Sequence, residues 1–252
     1  MHTDELFRDD ATLHHCEAVV LALEEAGVVL DRTVFYPVGG GQAGDAGQLL
    51  ADDGRVLAIA DTRKHPERPG AILHVPAAGS DAALLAAFLP GQRVTARIDA
   101  ARRVAHMRFH TATHLLCALV PYPVNGCSIT AGHARLDFHM SGPLDRDALN
   151  AGLARLVAEA HPVRHRWIGE DELDANPGLV RSMSVQPPRG LGRVRVLEIE
   201  GVDLQPCGGT HVANTAEVGP VVVTKIEKKS AMTRRVVLGL AEPGALHGML
   251  AP

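Results

Sequence analysis

The first hundred residues alternate between short apolar runs and turn residues, which predicts a domain of short β-strands. Residues 16–35 contain two β-branched runs around the turn-like "EEAG", a pattern typical of a hairpin. After the glycine-rich "YPVGGGQAGDAGQ" come three short strand-like runs, a short helix at 81–88 and a strand at 92–99. This spacing of strands and turns predicts a small β-barrel or sandwich.

The pattern changes after Asp99, where a long stretch without glycine or proline predicts a helix. Asp99 is a candidate N-cap, and Pro121 and Pro123 end the helix. The residues expected to share its apolar stripe are Val104, Met107, Leu115 and Ala118. A second helix is predicted at about 145–160, and strand-like runs such as "HARLDFHM", "GRVRVLEIEG" and "RRVVLGLA" surround it.

Mixed helices and strands in the second half favour an α+β fold. We place the domain boundary near residue 95, at "LPGQ". The expected protein is therefore α+β. It has an N-terminal small β-barrel domain at residues 1–95, which carries the glycine-rich motif, and an α+β domain at residues 96–252.

The composition predicts a soluble protein without a disulfide framework or a membrane span. Hydrophobic residues make up 46% and charged residues 21%, which is ordinary for a soluble globular protein. Four cysteines in 252 residues are too sparse for a disulfide framework. The charged N-terminus lacks the apolar core of a signal peptide, and no run approaches the roughly 20 apolar residues of a membrane span. These features predict a cytoplasmic protein. The net charge of −4 differs from the basic net charge that is usual in nucleic-acid-binding proteins, although it does not exclude a local basic patch.

Two short motifs carry metal-type ligands. "HTATH" holds His110 and His114 four residues apart, about one helical turn, so both can bind one ion. "CGGTH" holds Cys207 and His211 around two glycines that allow a tight loop. A thiolate and imidazoles are good zinc ligands. Each motif alone has an ordinary structural alternative, but two such pairs in one predicted domain favour a shared metal.

Histidine spacing leaves the choice of ligands open. His106 lies four residues before His110, so His106 and His110 are spaced as well as His110 and His114. The glutamate base of the zinc-protease motif H-E-x-x-H is absent, because Thr111 follows His110.

Together, "HTATHLL" and "CGGTHV" resemble the editing domain of alanyl-tRNA synthetases and their free-standing relatives, the AlaX trans-editing proteins. "LDRTVFYPVGGGQAGDAG" is similar to the glycine-rich motif of that family's N-terminal domain. "ARLDF", "LVRSM" and "TKIEKKS…RR" fall in the expected order, so the resemblance extends over nearly the whole chain. The length is similar to that of the medium-sized free-standing form, AlaX-M, without a synthetase catalytic region or a long coiled region.

The resemblance implies one Zn²⁺ per chain, with His110, His114, Cys207 and His211 as ligands and His106 as incidental. Departures from the family pattern are Cys117, where relatives often carry histidine, and "SAMTRR", which replaces a segment usually richer in glycine and lysine. Neither change touches the four ligands. The second leaves the strength of the tRNA backbone contacts open.

The implied reaction is the ATP-independent hydrolysis of the ester that joins a wrong amino acid to tRNA(Ala), chiefly serine, with glycine as a further candidate. We expect a metal site that is open, or can open, and that positions water or the amino-acid end. Bound serine requires a polar group, for which Thr111 and Thr113 are candidates, as is Gln42 if the "GGGQ" loop folds over the editing cleft. The glycines Gly39, Gly40 and Gly41 are expected to join the editing apparatus rather than cradle a nucleotide, since the Lys-Ser/Thr of a P-loop is missing.

Basic residues near both motifs are candidate tRNA contacts. They are Arg102, Arg103, Arg108, Lys225, Lys228, Lys229, Arg234 and Arg235. Strand alternation means that the last five cannot all face one ligand. The alternative function is a non-catalytic tRNA-binding module with a structural zinc. The oligomeric state is left open, with a monomer preferred.

Overall fold

The computed structural model describes residues 1–85, 88–183, 186–187, 189–190 and 192–241. The chain forms two compact units: one comprises residues 1–39 and 43–104, and the other comprises residues 40–42 and 105–252. The short segment 40–42 therefore belongs with the second unit, although the residues on either side of it belong to the first.

The first unit is built around a closed barrel. The bounds of its described strands and helices are β1 Asp4–Glu5, a 3-10 helix Leu6–Arg8, β2 His15–Glu24, β3 Gly27–Leu30, β4 Arg32–Thr33, β5 Gly47–Ala51, β6 Val56–Lys64, β7 Ile72–Pro76, α1 Ala82–Leu85 and β8 Arg93–Ile98. Six strands close the barrel in the order β2-β3-β7-β6-β5-β8, and β1 pairs in parallel with β4. The predicted hairpin is confirmed as β2 and β3, and the barrel alternative is the one observed.

Alternation along the strands fills the barrel. In β6 the buried Leu57 and Ile59 lie between exposed neighbours, as expected for a strand with one face inward. They join a core of aliphatic side chains with two phenylalanines, Phe35 and Phe88. The helix predicted at 81–88 is present as α1, and residues 86–87 lie outside the described residues.

The second unit has an α+β arrangement. The bounds of its described elements are α2 Ala100–Leu119, whose first residues cluster with the first unit, β9 Val124–Ile129, β10 Ala134–His139, α3 Arg146–Ala158, β11 Val163–Gly169, α4 Glu170–Ala175, a 3-10 helix Pro177–Leu179, β12 Arg193–Ile199, β13 Asp203–Pro206, a 3-10 helix Thr215–Val218, β14 Val221–Ser230 and β15 Thr233–Leu240. One sheet has the order β14-β15-β10-β9 and another β11-β12-β13.

The long helix α2 begins and ends as predicted. The Asp99 carboxylate accepts a hydrogen bond from the Arg102 backbone N–H at 3.0 Å, which satisfies one free donor of the first turn. The predicted apolar stripe is wrong at Val104, which is 43% exposed, whereas Met107 and Leu115 are buried. From His106 to Cys117 almost the whole helix is buried, so its polar residues lie in the interior as well. No helix in the described residues is long and apolar enough to cross a membrane.

Candidate metal centre

The second unit brings the two sequence motifs together. His110 and His114 lie one turn apart on α2, and Cys207 and His211 lie in the loop that follows β13. One ligand atom from each of the four side chains lies within 4.8 Å of the other three. The Cys207 Sγ atom is 3.5 Å from His110 Nε2 and 3.2 Å from His211 Nε2. These four residues could therefore hold a metal ion.

Every imidazole of the cluster has a partner for its Nδ1 atom. His110 Nδ1 is 2.8 Å from Gln42 Oε1, and His114 Nδ1 is 2.8 Å from Asp203 Oδ2. His211 Nδ1 is 3.2 Å from the Thr111 hydroxyl. Such outer contacts fix the ring orientation and the tautomer of a metal-binding histidine. They leave the Nε2 atoms as the donors for an ion.

Two glycines allow the backbone to approach the cluster. Gly41 has φ +88°, and a Cβ there would lie 3.0 Å from Cys127, while its carbonyl accepts from the Ile129 N–H at 2.7 Å. This contact sets the neighbouring Gln42 against His110. A Cβ on Gly209 would lie 2.1 Å from His110 Cε1, so only glycine fits at that position of the "CGGTH" loop.

Electrostatics within the cluster favour the thiolate form of Cys207. Burial alone would raise the pKa of the Cys207 thiol, but the nearby His110 and His211 lower it well below its usual value. Burial also opposes protonation of His114, yet the Asp203 carboxylate and Cys207 outweigh it and raise the pKa of His114 to about 10. Burial and the charge of His110 lower the pKa of His211 to about 3. The thiolate is the form of cysteine that binds metals.

The remaining residues of the predicted pocket are bonded within the protein. Gln42 is fully buried, and its Oε1 also accepts from the Thr210 N–H at 3.2 Å while its Nε2 donates to the Thr210 hydroxyl at 2.9 Å. The Thr113 hydroxyl donates to the His110 carbonyl at 2.7 Å. Contact of these groups with a substrate stays a prediction. Gly39 clusters with the first unit, where its carbonyl accepts from the Tyr36 hydroxyl at 2.9 Å.

His106 is fully buried on α2 and lies outside the four-residue cluster. All four cysteines fall within the described residues, and each is a free thiol. Burial raises the pKa of both Cys117 and Cys127 to about 12. Neither thiol belongs to the group that could hold an ion.

The predicted basic residues differ in exposure. Lys225, Lys228 and Lys229 are exposed on β14. Arg235 Nε is 2.7 Å from Asp137 Oδ1 and Nη2 is 2.9 Å from Oδ2, a two-point ion pair in the sheet of β14 and β15. Arg108 donates to the Val218 carbonyl at 2.8 Å. In the first unit, Arg102 donates to the Gly44 carbonyl at 3.2 Å.

Two of the predicted tRNA contacts, Arg103 and Arg234, are buried in the structure. Arg103 is 0% exposed and forms an ion pair with the equally buried Asp45, and its guanidinium also donates to the Val34 carbonyl at 2.6 Å. Arg234 is 8% exposed and donates to the carbonyls of Ser141, Gly142 and Ser230. Both side chains form hydrogen bonds inside the fold, and their contact with tRNA stays a prediction.

Sequence reasoning missed the outer partners of the cluster. Asp203 supports His114, and Gln205 donates to the Asp203 carboxylate at 2.9 Å. Thr210 holds Gln42. The sequence does carry a signal for Asp203 and Gln205. In "VDLQPC" these two residues alternate with apolar residues ahead of Cys207, so all three are expected on the same face of a strand.

Comparison with known proteins follows the same division of the chain. Residues 194–237, which include Cys207 and His211, match the family model "Threonyl and Alanyl tRNA synthetase second additional domain". Residues 8–102 match the model "tRNA synthetases class II (A)".

Relatives are similar over almost the whole chain. "Alanyl-tRNA editing protein AlaX-M" of Methanosarcina acetivorans is 32% identical over 95% of the chain and all of the relative. The AlaX-M protein of Saccharolobus solfataricus is 32% identical over 93% of the chain and 97% of the relative. "Alanine--tRNA ligase" of Methanothrix thermoacetophila is 34% identical over 95% of the chain, but over only 26% of the ligase. The chain therefore belongs to the AlaX-M family of alanyl-tRNA editing proteins.

Proposed function

We propose that this chain is an aminoacyl-tRNA deacylase that hydrolyses the ester between a wrong amino acid and tRNA(Ala). Serine is the main amino acid removed, and glycine is a further candidate. The second unit is the editing domain, and the barrel is the N-terminal domain of the same editing protein. The observation that carries the proposal is the four-residue cluster, two members of which, Cys207 and His211, lie in the part of the chain that matches a tRNA synthetase additional domain.

A separate editing site is useful because a synthetase pocket distinguishes alanine poorly from glycine and serine. A synthetase pocket made for alanine rejects a substrate that lacks one methylene by only about 1–3 kcal/mol. A pocket of this kind also rejects an added hydroxyl poorly, which makes serine a frequent error. A separate site that removes serine and glycine restores the accuracy that binding alone cannot reach.

Zinc is the metal that the donor set fits. Three imidazoles and one thiolate, without a carboxylate, are typical zinc ligands. Tetrahedral zinc at its usual bond lengths separates nitrogen and sulfur ligands by about 3.6 Å. The Cys207 Sγ distances of 3.5 Å and 3.2 Å to two Nε2 atoms are close to that value. When bound, zinc would supply a positive charge that polarises water or the aminoacyl group.

The residues around the cluster keep its donors in position. Gln42, Asp203 and Thr111 hold the three imidazole rings through Nδ1, so that each ring presents its Nε2 atom to the cluster. The glycine-rich segment thus acts on the site through Gln42, which holds His110. The Thr111 hydroxyl lies 3.2 Å from His211 Nδ1, beside the cluster, and is a candidate for binding the serine hydroxyl.

One observation also favours the structural alternative. Four protein donors around one point are the pattern of a coordinatively closed zinc site, whereas a catalytic site usually keeps one position for water. A tRNA-binding module with a structural zinc would have such a site. The exposed Lys225, Lys228 and Lys229 would serve tRNA binding under either function.

Deacylation of Ser-, Gly- and Ala-tRNA(Ala), measured side by side, separates the two functions. We expect rapid loss of serine, slower loss of glycine and little loss of alanine. The His110→Ala variant is expected to lose this activity, and the exposed His14→Ala variant is the matched control. Binding of tRNA without hydrolysis by the wild-type protein would instead identify the non-catalytic module.

A further inference from the structure

A row of paired residues connects the metal centre with an exposed tryptophan. Trp167 on the edge strand β11 pairs directly with Arg195 on β12. The Cys207 N–H, one residue after β13, donates to the Arg195 carbonyl at 3.1 Å. Neighbouring strands lie about 4.8 Å apart, so the Trp167 backbone lies about 10 Å from that of Cys207.

The three residues share one face of the sheet. Directly paired residues of antiparallel strands project to the same side. The Arg195 guanidinium donates to the carbonyls of Cys207 at 2.8 Å and Gly209 at 3.2 Å, so this side is the one that carries the metal-binding loop. On β13 the face is buried by the cluster, but on β11 it is open, and Trp167 is 46% exposed.

A positively charged side chain lies over the ring of the exposed tryptophan. The Arg193 guanidinium lies 4.5 Å above the centre of the Trp167 ring. His165, two residues earlier on the same side of β11, is also exposed. Aromatic rings combined with arginine bind single-stranded nucleic acids, because every base can stack on the ring and the arginine attracts the phosphates.

We propose that Trp167 and Arg193 bind a nucleobase of the single-stranded 3′ end of the tRNA. This inference rests on the proposed function, in which the terminal nucleotide carries its ester to the metal centre. A base one or two nucleotides back along the strand then reaches the tryptophan. Trp167 and Arg193 recognise the substrate as a nucleic acid, and the residues at the four-residue cluster recognise the amino acid.

Charge favours nucleic acid over a second protein chain as the occupant. In the described sheet β11 is an edge strand, which another strand could extend. Its exposed run "RHRW" carries Arg164 and Arg166, which alternate with Trp167 and so lie on the other face, where Arg166 pairs with Glu172 and Glu198 at 3.5 Å. Charged edges of this kind discourage strand addition. On the Trp167 face, the positive charge available to a polyanion is that of Arg193, which lies over the tryptophan ring.

Fluorescence tests the contact without any hydrolysis. Trp167 is the only tryptophan of the chain, so emission reports this site alone. Titration with a short single-stranded RNA that ends in CCA is expected to give saturable quenching. An abasic strand of the same length and charge is the control and is expected to leave emission nearly unchanged. Absent quenching, or equal quenching by both strands, would overturn the inference.

Kinetics test the same contact in the reaction. Loss of one base–aromatic stack weakens binding by about 5- to 150-fold, so we expect Trp167→Ala to raise KM for Ser-tRNA(Ala) about tenfold with kcat unchanged. Trp167→Phe keeps an aromatic ring and should retain most of the affinity. Tyr122→Ala removes an equally exposed aromatic residue and serves as the control. Seryl-adenosine, which has no preceding base, should be hydrolysed equally by the wild-type protein and Trp167→Ala.

These outcomes separate the contact from the proposed function. Hydrolysis of Ser-tRNA(Ala) with an unchanged KM in Trp167→Ala would refute the contact and leave the function standing. Base-dependent quenching in a protein that hydrolyses nothing would support the contact and refute the function. Self-association that Trp167→Ala abolishes, with KM unchanged, would identify this face as a contact between copies and overturn the inference.

Discussion

Replacement of Asp203 by asparagine tests how the metal centre is held. Asp203 Oδ2 lies 2.8 Å from His114 Nδ1, and the carboxylate side chain is 1% exposed. Gln205 donates to both carboxylate oxygens, at 3.0 Å and 2.9 Å. Asparagine keeps the shape but removes the charge, and its amide can offer only one oxygen to two donors. The change therefore weakens the orientation of one ligand without removing any ligand.

The expected loss can be estimated from the contact. Mutation of a residue that supports a metal-binding histidine usually lowers metal affinity by about 10- to 100-fold. This range corresponds to about 1.4–2.8 kcal/mol. A hydrogen bond to a charged group contributes about 1.5–3 kcal/mol, and this one is fully buried. We therefore expect a loss in the upper part of that range, about 30- to 100-fold.

Competition with a chromophoric chelator measures the zinc affinity directly. Asp171→Asn, an identical chemical change at an exposed position of α4, is the matched control and should bind zinc like the wild-type protein. Circular dichroism checks that both variants are folded. A folded Asp203→Asn protein whose zinc affinity stays within twofold of the wild type would refute the supporting role of Asp203.

Three further predictions follow from single contacts. Burial lowers the pKa of His74 from 6.5 to about 4, so the unfolded state protonates first and stability falls by up to about 3 kcal/mol as pH drops from 6.5 to 4. Urea unfolding of His74→Gln should lack this slope. Gly209→Ala drives a Cβ into His110 and should weaken zinc binding about 10- to 100-fold, as measured by competition with a chelator. Asp145 caps α3 by accepting from two backbone N–H groups, so Asp145→Ala should lower stability by about 1 kcal/mol in thermal unfolding, and an unchanged midpoint would contradict the cap.

Local signals account for what the sequence predicts well. The hairpin of β2 and β3 and the limits of α2 depend on turn residues, a cap and two prolines, which act on their immediate neighbours. The error at Val104 has a different origin. Helical periodicity identifies an apolar stripe only when one face is solvated, and α2 is buried on nearly all sides from His106 onward, so the pattern could not show that Val104 faces solvent.

Contacts between residues that are far apart in the sequence could not be predicted from it. The burial of Arg103 depends on Asp45, 58 residues earlier, and no local pattern distinguishes it from an exposed arginine. Gln42 reaches His110 across 68 residues, because the segment 40–42 clusters with the second unit. Of the residues at the metal centre, only the two ligand pairs could be predicted from the sequence around them, because each pair has a four-residue spacing.

The resemblance to a known family selected His110 and His114 over His106. In the structure, His110 and His114 lie in the four-residue cluster, and His106 is buried outside it. Spacing alone could not make that choice, since all three side chains follow the same four-residue rule on α2. The orientation of each ring toward the Cys207 loop depends on Gln42, Asp203 and Thr111, which the fold brings from separate segments.

The most direct measurement is the rate at which the zinc-loaded wild-type protein deacylates Ser-tRNA(Ala), with Ala-tRNA(Ala) under the same conditions. The proposed editing function predicts that serine is released many times faster than its spontaneous rate, while alanine is largely spared. Release of serine at the spontaneous rate, by a protein that is folded and carries one zinc per chain, would contradict it.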